Sequence, residues 1–207
     1  NVRRAGDVIP EIVRVVKEKR SNLIKPFNMP KICPVCKKKL LKEEGEAVLR
    51  CTNGLSCRAQ KKQGFMHFCS RKAMDIDGLG EKIVDQLIEE KLINNFSDIY
   101  GLKYNRLIEL ERFAKKSVEN LICAIEKSKK TTLPKLIYAL GIRNVGEATA
   151  FDLAGHFKSL QKIKAASTEE LENIQDIGPT VAKSINNYFN NEEKYSQLIA
   201  ILDKGVF

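Results

Sequence analysis

Glycine and proline are scarce in this sequence, 12 and six among 207 residues, which excludes collagen-like repeats and low-complexity chain. Long apolar runs are missing too. The longest candidate, LIYALGI at 136–142, falls far short of the ~18 residues a membrane-spanning helix needs, so no membrane partner is expected. The opening NVRRAGDVIP lacks the charged-then-apolar pattern of a secretory signal. A soluble, cytosolic chain is the resulting expectation. It opens on Asn and inside a strand-like pattern, as a piece of a longer protein would. There is no tryptophan and histidine is limited to His67 and His156, so ligand chemistry has to be sought among six cysteines. What is present is 43% hydrophobic and 30% charged residues. That is too apolar for a disordered chain, and the length suits one large domain or several small ones.

Acidic residues run short in one region only. Residues 1–74 carry 18 Lys and Arg against six Asp and Glu, a net +12. Residues 75–207 carry 18 against 20, a net −2. The whole basic excess of +10 therefore lies in the first third. Such a bias favours a polyanionic partner, most often nucleic acid, although a cationic surface also keeps a chain soluble. The remainder needs some means other than net charge to hold a polyanion.

Four cysteines form two close pairs, Cys33-Pro-Val-Cys36 and, fourteen residues later, Cys51-Thr-Asn-Gly-Leu-Ser-Cys57. Two turns of this kind can bring four thiolates together around Zn²⁺. The segment between them, KKKLLKEEGEAVLR, suits a short hairpin: Leu40, Leu41, Ala47, Val48 and Leu49 flank a turn at Glu43-Glu44-Gly45. So few residues bury little by themselves, so the metal would supply most of the folding energy, ~10–16 kcal/mol in small zinc modules. Four thiolates close the coordination shell, which makes the zinc structural rather than catalytic. Disulfides are disfavoured in a cytosolic chain, and a redox Cys-x-x-Cys would want a βαβ setting that is absent. His67 and Cys69 form an alternative ligand pair to set beside Cys51 and Cys57. Otherwise Cys69 and Cys123 read as buried thiols, and His156 as a histidine of a helix surface or core.

Residues 75–207 contain a pattern that recurs four times. The copies are Gly78-Leu79-Gly80, Arg112-Phe113-Ala114, Asn144-Val145-Gly146 and Asp176-Ile177-Gly178, each followed by an amphipathic helix. The third positions are spaced 34, 32 and 32 residues apart, the signature of tandem supersecondary units. Each unit reads as helix, tight turn, helix. Ser167-Thr-Glu-Glu170 predicts a capping box before Leu171, and Pro179 sits just inside the last of the four helices. Glycine at 80, 146 and 178 is expected to take positive φ and to let a ligand come close. The helix that follows then turns free N–H groups outward, a backbone site for a phosphate oxygen that needs no net charge. Phosphate contacts fix position without reading bases, so binding is expected to be independent of sequence. The second copy departs from the pattern. Alanine at 114 resists positive φ, so this hairpin is expected to bind phosphate poorly.

Residues 1–20 alternate in strand fashion, with Val2, Val8, Ile12, Val13, Val15 and Val16, and predict the last strands of a small β-barrel. Ser21 to Pro30 reads as a linker. The expected fold is mainly α: an OB-fold remnant with linker over 1–28, a four-cysteine zinc finger over 29–70, and a helix–hairpin–helix domain of four repeats over 71–207.

This order, with the segments RRAGDVIP, CPVC, RCTNGLSC, HFCSRKAMDIDGLGEKIVDQL, YALGIRNVGEATA and DIGPTVA, resembles the C-terminal half of bacterial NAD-dependent DNA ligase. In that family a preceding nucleotidyltransferase domain carries a Lys-x-Asp-Gly nucleophile that takes AMP from NAD. The AMP passes to the 5′-phosphate at a nick, and the 3′-hydroxyl displaces it, with Mg²⁺ assisting. The only Asp-Gly here, Asp77-Gly78, has Asp75 where the lysine would stand, so no catalytic residue is assigned. The resemblance implies zinc at Cys33, Cys36, Cys51 and Cys57. It implies DNA contacts at Gly78, Gly80, Gly146 and Gly178 with their neighbours Leu79, Lys82, Arg143, Asn144, Val145 and Ile177. It further implies a monomer, nicked duplex DNA as partner, the family's adenylation and OB domains ahead of this segment, and a bacterial cytoplasmic location at the nucleoid. Arg112 and Ala114 depart from the family pattern, Arg58 stands where many members have Pro, and a BRCT domain usually follows. A stand-alone helix–hairpin–helix scaffold and a zinc-ribbon RNA binder remain open as other readings.

Overall fold

The computed structural model describes residues 1–6, 8–21, 24–25, 27–42 and 48–207. Strands β1 (Val2–Ala5) and β2 (Ile9–Ile12) form an antiparallel ribbon, in register from Val2↔Ile12 to Ala5↔Ile9. The strand pattern expected over 1–20 is realised only there. Residues 13–16 form no strand, and Lys17–Lys19 is a 3₁₀ turn. Two strands alone bury little: Val2, Val8, Ile9 and Ile12 are all at least two-thirds exposed. A second small sheet pairs β3 (Leu40–Leu41) with β4 (Arg50–Cys51), Leu40 opposite Cys51. This is the hairpin expected between the cysteine pairs. Its turn at Glu43-Glu44-Gly45, and Ala47, lie outside the described residues.

From Arg58 onward the chain is helical. Helices α1 (Arg58–Cys69) and α2 (Glu81–Glu89) make the first helix–turn–helix unit. A six-residue 3₁₀ helix at Phe96–Gly101, closed by a capping box between Asn95 and Asp98, leads to the second unit, α3 (Tyr104–Leu107) and α4 (Lys115–Ser128). The third is α5 (Leu133–Ala139) with α6 (Glu147–Phe157). After α7 (Leu160–Ala165) comes the fourth, α8 (Thr168–Glu172) with α9 (Pro179–Phe189), and α10 (Glu192–Leu202) follows. The capping box read at Ser167 is present: its hydroxyl accepts from the Glu170 amide while the Glu170 carboxylate accepts from the Ser167 amide. Among the described residues no helix is long and apolar enough to cross a membrane.

One continuous apolar core runs through all four units, from Phe65 in α1 to Val206 past α10. Each helix contributes the face its 3–4 spacing dictates, such as Ala150, Leu153, Ala154 and Phe157 from α6. Aromatic packing joins α1 to the 3₁₀ helix: Phe68 stacks on Phe96 at 4.6 Å, and Phe65 meets the same ring edge-on at 5.3 Å. Cys69 is buried here, and loss of solvent pushes its thiol up to about 12. Cys123, expected to be a buried thiol, is instead exposed. Leu121 and Ile125 of the same helix face the core, and the helical period turns the residue midway between them outward. His156 lies exposed on α6.

Leu153, fully buried, is the test of this core. Leu153→Ala should cost about 2–5 kcal/mol in denaturant unfolding, followed by helical circular dichroism.

Candidate zinc centre and nucleic-acid interface

The zinc centre is built by two turns. The Lys37 amide returns to the Cys33 carbonyl at 3.0 Å, and Lys37 sits at φ +61°, so the chain doubles back after the first pair. On the other side a 3₁₀ turn, Gly54–Ser56, delivers Cys57 to the N-cap of α1. All four Sγ atoms lie within 4.8 Å of one another. Cys36 and Cys51 are 3.5 Å apart, and Cys33 and Cys57 4.0 Å. A tetrahedron with Zn–S near 2.3 Å has sulfur–sulfur edges of about 3.8 Å, so the cluster fits zinc without rearrangement. All six cysteines are free thiols. The amides of Cys36 and Val35 hydrogen-bond the Cys33 sulfur and pull its pKa down to about 7. At Cys51 the Asn53 amide pulls the same way, but desolvation and the three neighbouring sulfurs outweigh it and push the thiol up to about 12. Four thiolates at one point repel, and a divalent cation is what removes that repulsion. His67 and Cys69 take no part. The His67 Nε2–H donates to the Tyr138 carbonyl at 2.7 Å, and Cys69 packs in the helical core.

The repeated turns obey one backbone rule, and it differs from the expected one. Positive φ falls at the first residue of each triplet: Gly78 (+90°), Arg112 (+71°), Asn144 (+62°) and Asp176 (+62°). Gly80, Gly146 and Gly178 have φ of −73°, −88° and −84°, ordinary extended backbone. Ala114 matches them at φ −86°, so its methyl obstructs nothing in the turn itself. The conformational objection to the second hairpin therefore falls; it differs in the outward methyl of Ala114, in Arg112 at the turn and in Lys115 at the start of α4. The positive φ belongs to a tight turn, closed by amide-to-carbonyl bonds from Phe113 to Leu110, Val145 to Ile142 and Ile177 to Ile174. Gly, Asn and Asp at 78, 144 and 176 were the sequence signal for it.

The middle residue of each triplet points inward. Leu79, Val145 and Ile177 are each less than a tenth exposed, so only their backbone faces outward. The third residue is the N-cap of α2, α4, α6 or α9, and in none of them does a side chain cap the helix. The first four-residue helical bonds run from Val84, Val118, Ala150 and Ala182 back to the cap carbonyls, leaving earlier amides without helical partners in α2, α4 and α6. In α9 the Val181 amide also bonds the Gly178 carbonyl at 3.0 Å and Pro179 has no N–H, which leaves Gly178 and Thr180. Of the helices that follow no such turn, α7, α8 and α10 are closed by Ser159, Ser167 and Asn191, while α1, α3 and α5 start without a side-chain cap. A Cβ built on Gly80, Gly146 or Gly178 would meet nothing within 4 Å. Lys82 is exposed in the first turn of α2, and Arg143 half-buried just ahead of Asn144. Together these turns present open amide groups at helix N-termini, an arrangement that accepts anions.

Comparison with known proteins agrees with both features. Residues 33–59 match the NAD-dependent DNA ligase C4 zinc finger domain, and residues 135–199 a helix–hairpin–helix motif. The chain is 52% identical over 202 residues to the DNA ligase of Saccharophagus degradans, covering 96% of this chain and 30% of that protein. It is 50% identical over 205 residues to the DNA ligase of Coxiella burnetii, and 52% over 204 to that of Nitrosococcus oceani. Each of these alignments covers 99% of this chain and 30% of the relative, so the chain spans under a third of the length of these relatives.

Two outcomes test this geometry. Cys57→Ser should lower zinc content measured by metal analysis and loosen residues 33–59, while most helical circular dichroism remains. Asn144→Gly should leave stability within about 0.5 kcal/mol, whereas Asn144→Val, β-branched at positive φ, should cost on the order of 1–3 kcal/mol in thermal unfolding.

Proposed function

Because the chain belongs to the NAD-dependent DNA ligase family, we propose that it is the part of such an enzyme that holds the DNA. Hairpins one, three and four grip the sugar–phosphate backbone through the open amides at and after Gly80, Gly146 and Gly178, which in the fourth hairpin are those of Gly178 and Thr180, since Pro179 has no N–H and Val181 bonds Gly178. The observation that carries this reading is a glycine where conformation does not demand one. At φ near −80° any residue would serve, and a Cβ would meet no protein atom within 4 Å. What the missing Cβ keeps clear is the approach of something outside the protein. Lys82, Arg143 and Asn144 flank the same turns, and Gly78 sets the bend of the first.

Backbone contacts of this kind carry no base information, so the grip is independent of sequence. The zinc module, basic and held by Cys33, Cys36, Cys51 and Cys57, extends the positive surface along the duplex. The division proposed is 1–28, 29–70 and 71–207, with α1 shared: it begins at a zinc ligand and ends in the helical core. The partner is a nicked duplex. The whole enzyme, a cytoplasmic monomer working at the nucleoid, joins a 3′-hydroxyl to a 5′-phosphate in replication and repair, using NAD and Mg²⁺ on its other domains. Holding both sides of the nick in line is how this portion serves the reaction, since positioning lowers the entropic part of the barrier. By itself the chain does not ligate.

Binding of the 207-residue chain to a nicked duplex should fall on the order of 10³-fold between 50 and 200 mM salt if about six phosphates are contacted. A flat salt curve contradicts the grip. Gly146→Val should fold normally yet bind about tenfold more weakly, the worth of one hydrogen bond to a charged oxygen. Unchanged affinity, measured by fluorescence anisotropy, removes that hairpin from the interface.

A further inference from the structure

Two of the four hairpin helices begin with a carboxylate. Gly80 is followed by Glu81 and Gly146 by Glu147, whereas Ala114 is followed by Lys115 and Gly178 by Pro179. A negative side chain in the first turn suits a helix dipole, but it also stands one residue from amides that would hold a phosphate. Each of these two glutamates has a lysine on it. Lys62, in α1, reaches Glu81 at 2.9 Å and also pairs with Asp85 one turn along α2. Lys72, just past the end of α1, reaches Glu147 at 2.5 Å. Both lysines come from one short stretch of chain. Among the described residues no ion pair involves Lys115, which opens α4.

The Lys72–Glu147 pair does little for stability: its members are 68% and 49% exposed, a setting in which ion pairs contribute almost nothing to folding, whereas Lys62 is 19% exposed against Glu81 at 67%. The local electrostatic effect of the pairs is larger. Each ammonium cancels the carboxylate that would otherwise repel an approaching phosphate, while no protein atom lies within 4 Å of where a Cβ on Gly80 or Gly146 would stand. A further exposed pair, Arg58 on Glu89 at 2.5 Å, also bridges α1 and α2.

We propose that Lys62 and Lys72 are positioning residues that neutralise Glu81 and Glu147, and so tune hairpins one and three for phosphate. They act through the glutamates rather than by touching DNA. The proposal rests on the hairpin reading given above, and its test separates the two. Nicked-duplex affinity of the zinc-loaded 207-residue chain is measured at 100 mM salt for Lys72→Met, Glu147→Gln, the double variant and Gly146→Val. An uncompensated carboxylate about 6 Å from a phosphate in a largely aqueous setting predicts a three- to tenfold loss for Lys72→Met. Glu147→Gln should bind as well as the parent or better, and the double variant should return to within about twofold of Glu147→Gln. Lys62→Met should lose affinity in the same way, and Glu81→Gln should restore it in part, because Asp85 loses the same lysine and keeps only Arg58 at 3.6 Å. A double variant as weak as Lys72→Met overturns the proposal, because the lysine then acts on DNA directly. Undiminished binding by Lys72→Met overturns it too, provided Gly146→Val binds weakly. If Gly146→Val also binds normally, the hairpin reading itself has failed and this proposal falls with it. Unchanged thermal midpoints for the Lys72 and Glu147 variants, both exposed, tie each result to the interface rather than to folding; the half-buried Lys62 variants are compared with each other at equal folded fraction.

Discussion

Everything in the helical part of this chain hangs on amide groups that the protein declines to satisfy. A helix beginning usually closes its first turn with a side chain, and α7, α8 and α10 do so through Ser159, Ser167 and Asn191. The helices that follow the repeated turns do not, and neither do α1, α3 and α5; what sets α2, α6 and α9 apart is a bare glycine at the cap and a buried apolar residue before it. Their amides stay open because an apolar residue, Leu79, Val145 or Ile177, pins the turn to the core from inside and a glycine leaves it bare outside. Burial of one residue and absence of a side chain on the next thus hold a polar backbone surface in place.

This arrangement explains how a region of net charge −2 can serve a polyanion. Backbone dipoles at helix N-termini provide a local positive field that composition does not register. The basic first third adds a longer-range field and, through four cysteines, a metal-built module too small to fold on burial alone. Helix α1 links the two: its first residues follow a zinc ligand, its middle packs Phe65 and Phe68 into the core, and its charged side chains lie on α2. The zinc site and the first hairpin are therefore mechanically continuous.

Much of this was legible in the residues themselves. The spacing of the cysteines and the 32-residue period of the triplets led to the cluster and to the four hairpins, since both are local and repetitive. The capping box at Ser167 was legible for the same reason. Backbone detail was not. Glycine at 80, 146 and 178 suggested left-handed backbone, yet that conformation sits two residues earlier, where Gly78, Asn144 and Asp176 tolerate it. Glycine is ambiguous in sequence because it serves both strained turns and open space, and only coordinates separate these uses. The strand pattern across 1–20 likewise overreached, because valine alternation continues past the point where Ile12 has its last partner. The exposure of Cys123 followed from the helical period between Leu121 and Ile125, which the reading of it as a buried thiol overlooked, whereas the lysine–glutamate pairs across separate helices depend on tertiary packing that no local pattern encodes.

The most direct measurement is amide hydrogen exchange of the zinc-loaded chain with and without a nicked duplex. Protection should appear at the amides of residues 80–83, 146–149, 178 and 180, and should leave the capped starts of α7, α8 and α10 unchanged. Protection confined to the zinc module, with the hairpin amides exchanging as before, would contradict the account.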